Sequence, residues 1–247
     1  MQQAHVPPAG TRYWVALSIA SVFGANTGDF IARYLHLGHA GGLPALAVLL
    51  ALIFLVERRD PAARQAYYWA AIIVVRTAAT NLADFGASDM HLGHPWLTAA
   101  LTALLVAILA IAPTVKPVNA PDRWPFCLPV TDIRYWTVML IAGTLGTALG
   151  DFASFDSGLG TWRASLIEGA ILLALLLFGR SGPLGNVWYY WLAVVAVRTA
   201  GTSFGDYLAH DVFGLAMSTL VTGTVFVGTL LAWREPAAYR LRSSVAD

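Results

Sequence analysis

Long apolar runs alternate with short polar breaks along the whole chain, and the runs have helical rather than strand length. A helix rises about 1.5 Å per residue, so about 20 mainly apolar residues cross roughly 30 Å of hydrocarbon. Eight stretches come up to this, starting near Tyr13, Leu43, Tyr67, Trp96, Tyr135, Arg163, Trp188 and Leu215, the second and fourth being the shortest. Each is predicted to be a membrane-spanning helix. The opening MQQAHVPPAGTR lacks the basic start, short apolar stretch and small-residue cleavage site of a signal peptide, so the first span is expected to stay as an anchor.

The polar interruptions repeat. Four units begin YWVALSIASVFGANTGDF at Tyr13, YWAAIIVVRTAATNLADF at Tyr68, YWTVMLIAGTLGTALGDF at Tyr135 and YWLAVVAVRTAGTSFGDY at Tyr190. Trp14 to Asp29, Trp69 to Asp84, Trp136 to Asp151 and Trp191 to Asp206 are each a step of 15 residues. Each unit then turns into a second apolar span, so the repeat reads as a helical hairpin. A hairpin returns the chain to the side it left, which makes the units parallel repeats about an axis along the membrane normal. The expected fold is an all-α integral membrane protein of eight transmembrane helices, arranged as four pseudo-symmetric two-helix repeats.

Its first membrane half takes residues 1–112, with repeats at 13–60 and 68–112; a proline-rich linker follows at 113–133. The second half takes 134–236, with repeats at 135–180 and 190–236, and a tail runs over 237–247. Units two and four carry Arg76 and Arg198 where units one and three have Ser21 and Gly143, as though a hairpin had doubled twice. Small residues sit one and five positions before each aspartate, at Gly24 and Gly28, Ala79 and Ala83, Gly146 and Gly150, Gly201 and Gly205. Such pairs let spans approach closely, which predicts that the first helices of the units form an inner ring. The Tyr-Trp pairs are expected at the interface as an aromatic belt.

The YW…[GA]D[FY] units, with the Leu-Gly pairs Leu37–Gly38, Leu92–Gly93 and Leu159–Gly160 after them, resemble a family of bacterial membrane-anchored proteins. That family is built from a tandem two-helix repeat known only as a repeat of unknown function. The resemblance covers nearly the whole chain and implies the fold without an activity. Unit four departs from it, reading FGLA from Phe213, and its outer turn is expected to be one residue shorter.

Composition agrees with the membrane reading: 57% apolar residues, 12% charged and a mean hydropathy of +0.63 leave no polar coat for a soluble globule. A net charge of +1 without a basic stripe argues against a nucleic-acid partner. The single cysteine, Cys127, allows neither a disulfide framework nor a cysteine metal site within one chain. No G-x-x-x-x-G-K-[ST], H-E-x-x-H or G-x-S-x-G occurs and the loops are short, so no enzyme is expected. Arg12, Arg58, Arg59, Arg64, Lys116, Arg123, Arg134, Arg180, Arg234, Arg240 and Arg242 fall on the side of both termini, against Arg33 and Arg163 on the other. The basic bias places both termini in the cytoplasm of a bacterial inner membrane.

Against that background the intramembrane charges carry the chemistry. Fifteen residues of helix rise roughly 22 Å, so Asp29, Asp84, Asp151 and Asp206 share one depth in the outer part of the membrane. A charge at bilayer centre costs about 2.5–3.5 kcal/mol on insertion scales, so these carboxylates must face each other, a partner or water. They are the candidate ion-binding residues. The plainer alternative has them bridging helices through Thr80, Thr147 and Thr202, one turn earlier on the same face. Asp89, Asp156 and Asp211 add a second carboxylate five residues on in three units.

Arg76 and Arg198 lie seven residues past their tryptophans, roughly 10 Å into the hydrocarbon, and read as a charge-compensating or gating level. Glu168, midway along the sixth span, is their first expected partner, with Asp29 or Asp151 next. His36, His39, His91 and His94, in two HLGH tetrapeptides, are candidate metal or haem ligands. The leading reading is a transporter or channel for a small cation, its partners the lipid bilayer and that cation or a proton. Alternatives are a proton-coupled transporter of another solute, a metal- or haem-binding protein, or a structural membrane protein. No cofactor and no oligomeric state are assigned from the sequence.

Overall fold

A computed structural model of the protein describes Pro7 and residues 10–60, 65–111, 131–178 and 187–233. Most of the expected linker, the tail at 237–247, Cys127 and the basic residues Arg64, Lys116, Arg123, Arg180, Arg234, Arg240 and Arg242 lie outside the described residues. Within them the apolar runs are helical and no strand occurs. In unit order the helices are α1 (Thr11–Asp29), a short α2 (Gly38–Gly41) and α3 (Leu43–Arg59); α4 (Gln65–Asp84) and α5 (Gly93–Ile111); α6 (Ile133–Asp151) and α7 (Thr161–Phe178); α8 (Val187–Asp206) and α9 (Leu215–Ala232). Pro44 and Pro95 fall in first turns, where a missing N–H breaks no helical bond.

Among the described residues six segments are long and apolar enough to cross a membrane: Thr11–Tyr34, Gly38–Arg59, Gly93–Ile111, Ile133–Asp156, Thr161–Phe178 and Leu215–Ala232. The remaining two long helices, α4 and α8, are 20 residues each and are the ones with an arginine at their middle. The protein is thus an all-α membrane protein of eight spans in four parallel repeats.

In each unit the first helix runs past its aspartate into a π-helical segment: Phe30–Tyr34, Phe85–Asp89, Phe152–Asp156 and Tyr207–Val212. The second helix starts at or near a left-handed glycine, with φ of 66° at Gly38, 71° at Gly93, 76° at Gly160 and 76° at Gly214. A side chain is disfavoured there, which accounts for the Leu-Gly pairs. Unit four reaches its glycine eight residues after Asp206, against nine in the others, the expected shorter turn.

Packing closes α1, α4, α6 and α8 into an inner ring in that order, and α3, α5, α7 and α9 lie outside it. The hairpins are splayed, however. Each outer helix packs mainly on the first helix of the following unit: α3 on α4, α5 on α6, α7 on α8 and α9 on α1. The four units therefore interlock around the ring.

The small-residue pairs explain how the ring closes. A Cβ added at Gly24 would lie 2.5 Å from Cβ of Arg76, and one at Gly146 would lie 2.6 Å from Cβ of Arg198. One turn on, Gly28 and Gly150 receive Thr80 and Thr202 in the same way, at 2.6 and 2.9 Å. The glycines of units one and three are thus the seats for the arginines and threonines of units two and four.

The aromatic pairs correct the expected belt. Tyr13, Tyr68, Tyr135 and Tyr190 and the four tryptophans after them are all buried, forming the core of the ring at the end holding the helix starts.

Candidate functional site

The axis of the inner ring carries three polar levels, each contributed once per unit because the spacing within units is constant. At the first level the four tyrosine hydroxyls close a ring: Tyr13 to Tyr68 at 2.9 Å, Tyr68 to Tyr135 at 2.7 Å, Tyr135 to Tyr190 at 3.0 Å and Tyr190 to Tyr13 at 2.6 Å. A phenol donates once and also accepts, so four of them satisfy one another in a cycle without help from water. Each tyrosine stands edge-on to the tryptophan that follows it, with centroids 5.1–5.3 Å apart, which braces its ring.

Roughly two turns further along is the level of Ser21, Arg76, Gly143 and Arg198. In ring order the arginines occupy diagonal helices and two small residues stand between them, which leaves room for two guanidinium groups. Both arginines are fully buried. Arg198 leans toward the aspartates: Nε donates to Thr147 Oγ1 at 2.9 Å, Nη1 to the Ser21 carbonyl at 2.9 Å and Nη2 to Thr80 Oγ1. The guanidinium of Arg76 instead lies within electrostatic reach of all four tyrosines, and none of its three nitrogens has a hydrogen-bond partner among the described residues.

Neither arginine pairs with Glu168, contrary to the expectation from sequence. Glu168 is buried on α7 beside Ser203, off the axis in the α7–α8 seam, and Ser203 is in turn bonded to the Gly150 carbonyl and to Ser154. An outer helix cannot bring a side chain past α8 to the axis. Nor do Asp29 and Asp151 hydrogen-bond the arginines; hydroxyls and a backbone carbonyl do so for Arg198. Thr80 and Thr147 donate back to their own helices, to the Arg76 and Gly143 carbonyls, so the carboxylates are not held through them.

The third level is the aspartates. Asp29, Asp84, Asp151 and Asp206, from four different helices, line one cavity of about 270 Å³, together with Arg33, His39, His94 and Phe155. Arg33, one turn on from Asp29, pairs with it at 3.7 Å. Asp84, Asp151 and Asp206 each keep a buried Oδ2 without a hydrogen-bond partner among the described residues. The π-helical segments begin directly after these residues, the usual company of such irregular turns being functional sites.

Around the rim, neighbouring units are linked at one repeated position. His39 Nδ1 meets Asp89 at 3.1 Å, His94 Nδ1 meets Asp156 at 2.7 Å, and Thr161 donates to Asp211 at 2.5 Å. Each link joins the residue after a turn glycine to the carboxylate of the next unit. At the seam of units four and one the matching residues are Leu215 and Tyr34, which cannot make such a link.

The histidines expected as metal or haem ligands are used otherwise. His36 and His91 stand at left-handed turn positions, φ 56° and 57°, where unit three has Gly158. His39 and His94 are taken by seam carboxylates. Among the described residues no group of three or more His, Cys, Asp or Glu is placed to hold a metal ion. The tyrosine ring was missed by sequence reasoning, although its signal, an invariant offset from each aspartate, was in plain view.

Against known families, residues 12–59, 134–179 and 189–238 match the model described as Repeat of Unknown Function (DUF347). The second unit falls outside the matched segments while keeping the same spacing. Comparison with curated proteins and with solved structures gives no match.

Proposed function

The chain belongs to this repeat family, whose description carries no activity, and we propose on the chemistry of the site that it is a membrane transporter of a small cation. The observation that carries the reading is that Asp84, Asp151 and Asp206 line one cavity and that each keeps a buried carboxylate oxygen without a hydrogen-bond partner among the described residues. Unpaired buried carboxylates are costly, and a bound cation removes that cost. Rings of carboxylates serve cation selection in known pores.

The level beneath favours a gated transporter over an open channel. A unit charge about 8 Å away opposes a cation by about 2 kcal/mol at an effective dielectric of about 20, and two arginines occupy the axis. The hydrogen-bonded tyrosine ring closes the same axis beyond them. Passage therefore requires Arg198 to leave its threonines and the tyrosine ring to open, after the aspartates have been filled.

The described basic residues Arg12, Arg58, Arg59 and Arg134 lie at the tyrosine end, which supports cytoplasmic termini in a bacterial inner membrane and a cavity facing outward. Cysteines at Gly38, Gly93, Gly160 and Gly214 in a Cys127→Ser background should then be labelled from outside, and one at Arg59 from inside. The transport reading is tested in proteoliposomes offered monovalent and divalent cations and small organic cations, with and without a pH gradient. Asp84→Asn combined with Asp206→Asn should cut flux at least about tenfold, the loss of one or more charged contacts, with unfolding temperature preserved. Equal flux in the variant and the parent would remove the aspartates from the mechanism.

A further inference from the structure

The aspartate cavity is too wide, and its carboxylates too dispersed, for a bare inorganic ion. We infer that its ligand is a small organic cation bearing ammonium or guanidinium groups, an inference that rests on the aspartate level being the binding site.

Size is the first ground. A dehydrated divalent ion draws its oxygens to about 2.0–2.6 Å around a single point. Among the described residues no three acidic or histidine side chains are gathered in that way, although four aspartates and two histidines line the cavity. Its volume of about 270 Å³ is instead close to the lower end of small-molecule pockets, about 300–1,000 Å³.

The second ground is the distribution of free acceptors. Asp84, Asp151 and Asp206 line the cavity from three different helices, α4, α6 and α8, and each keeps a buried Oδ2 without a hydrogen-bond partner among the described residues. A cation with several N–H donors spread over its frame reaches more than one of them with charge-assisted bonds of about 2.7–2.9 Å, which a spherical ion cannot do. Independently of the acids, Thr202 is 2% exposed and lines the same cavity, and its buried hydroxyl has no hydrogen-bond partner among the described residues. A buried hydroxyl left so calls for a polar group on the ligand.

The third ground is that the chain already seats one such group there. The guanidinium of Arg33 lies in the cavity wall against Asp29, so the fourth carboxylate is occupied by the chemistry inferred for the ligand. Phe155 adds an aromatic wall, to which organic cations are attracted and strongly hydrated ions much less so.

The test is calorimetric titration of the full-length protein in lipid nanodiscs with methylguanidinium, putrescine, potassium, magnesium and manganese chlorides. Methylguanidinium or putrescine should bind at least about tenfold more tightly than any of the three inorganic ions, a difference of about one charged hydrogen bond. Asp84→Asn with Asp206→Asn should weaken that binding at least about tenfold, and Thr202→Val about threefold. Arg33→Gln, at a half-exposed position that spares the core, frees Asp29 and should tighten the organic cation severalfold. Tight binding of an inorganic ion without the organic ones would overturn the inference and leave the cation-transporter reading standing. Binding of no cation of either class would remove both, and weaker organic-cation binding in Arg33→Gln would overturn the inference even if the aspartate variants failed to fold.

Discussion

Replacing glycine by alanine should have opposite signs on the two sides of the inner ring. At Gly24 an added Cβ meets Cβ of Arg76 at 2.5 Å and its carbonyl carbon at 3.3 Å; at Gly146 it meets Cβ and Cγ of Arg198 at 2.6 and 2.7 Å and the Val195 carbonyl oxygen at 3.0 Å. These neighbours are the rigid part of an adjacent helix, so α1 must move off α4, and α6 off α8, by about 1 Å to reach ordinary contact. Overpacking of this kind costs about 1–3 kcal/mol, here at the upper end because no flexible side-chain tip can yield, and the helix propensity of alanine returns only about 1 kcal/mol. The net expectation is a loss of about 2 kcal/mol at each site. Among the described residues Gly169 on α7 and Gly228 on α9 have nothing within 4 Å of the added atom, so alanine there should gain the propensity alone, about 1 kcal/mol. Tryptophan fluorescence during thermal unfolding in one detergent, comparing Gly24→Ala/Gly146→Ala with Gly169→Ala/Gly228→Ala, reads the difference. The seams are separate, so the paired changes should add. Equal shifts for the two double variants would mean that the ring is not closed through its glycines, and the placement of both arginines would fall with it.

The two arginines should respond differently to the same substitution. Arg198→Met removes donors to Thr147, Thr80 and the Ser21 carbonyl and should cost about 3 kcal/mol, whereas Arg76→Met exchanges a partnerless buried guanidinium for an apolar chain and should be neutral or stabilising by about 1–4 kcal/mol; identical shifts in chemical denaturation would contradict the described contacts. Adding Glu168→Gln to Arg198→Met should change stability additively within about 0.5 kcal/mol, and a larger coupling would restore the pairing expected from sequence. Tyr135→Phe deletes the contacts at 2.7 and 3.0 Å to Tyr68 and Tyr190 and should cost about 1–3 kcal/mol. Each of the other three tyrosines should give a similar value, and a large effect at only one of them would rule out a closed cycle.

Spacing along the chain is local information, and what depends on it was legible. The step of 15 residues from tryptophan to aspartate places the four carboxylates at one depth, because a helix has a constant rise. The small residues beside them mark the first helix of each unit as the one that approaches its neighbours closely. The shorter turn of unit four follows from the chain as well, since only a count of residues between Asp206 and Gly214 is at stake.

Partners across a seam are another matter, because they depend on which helices are adjacent and on how each is rotated. Glu168 looks available to an arginine when depth alone is considered, yet α7 packs outside α8 and holds it in the seam beside Ser203. Thr80 and Thr202 stand one turn before aspartates on their own helices; only the seat offered by Gly28 and Gly150 shows that they are pressed onto a neighbouring backbone. The tyrosines read as interfacial aromatics until four helices turn them inward together, and their ring exists only when all four units are in place. His39 and His94 resemble metal ligands in a tetrapeptide, but the interlocked order of the units carries them to the carboxylates of the next repeat. The sequence by itself determined the repeat, the depth of each polar level and the membrane class, all of which are consequences of periodicity. The tertiary structure alone decided which charges are partnered and which carboxylate oxygens are left free, because pairing is a property of the closed ring and not of any one helix.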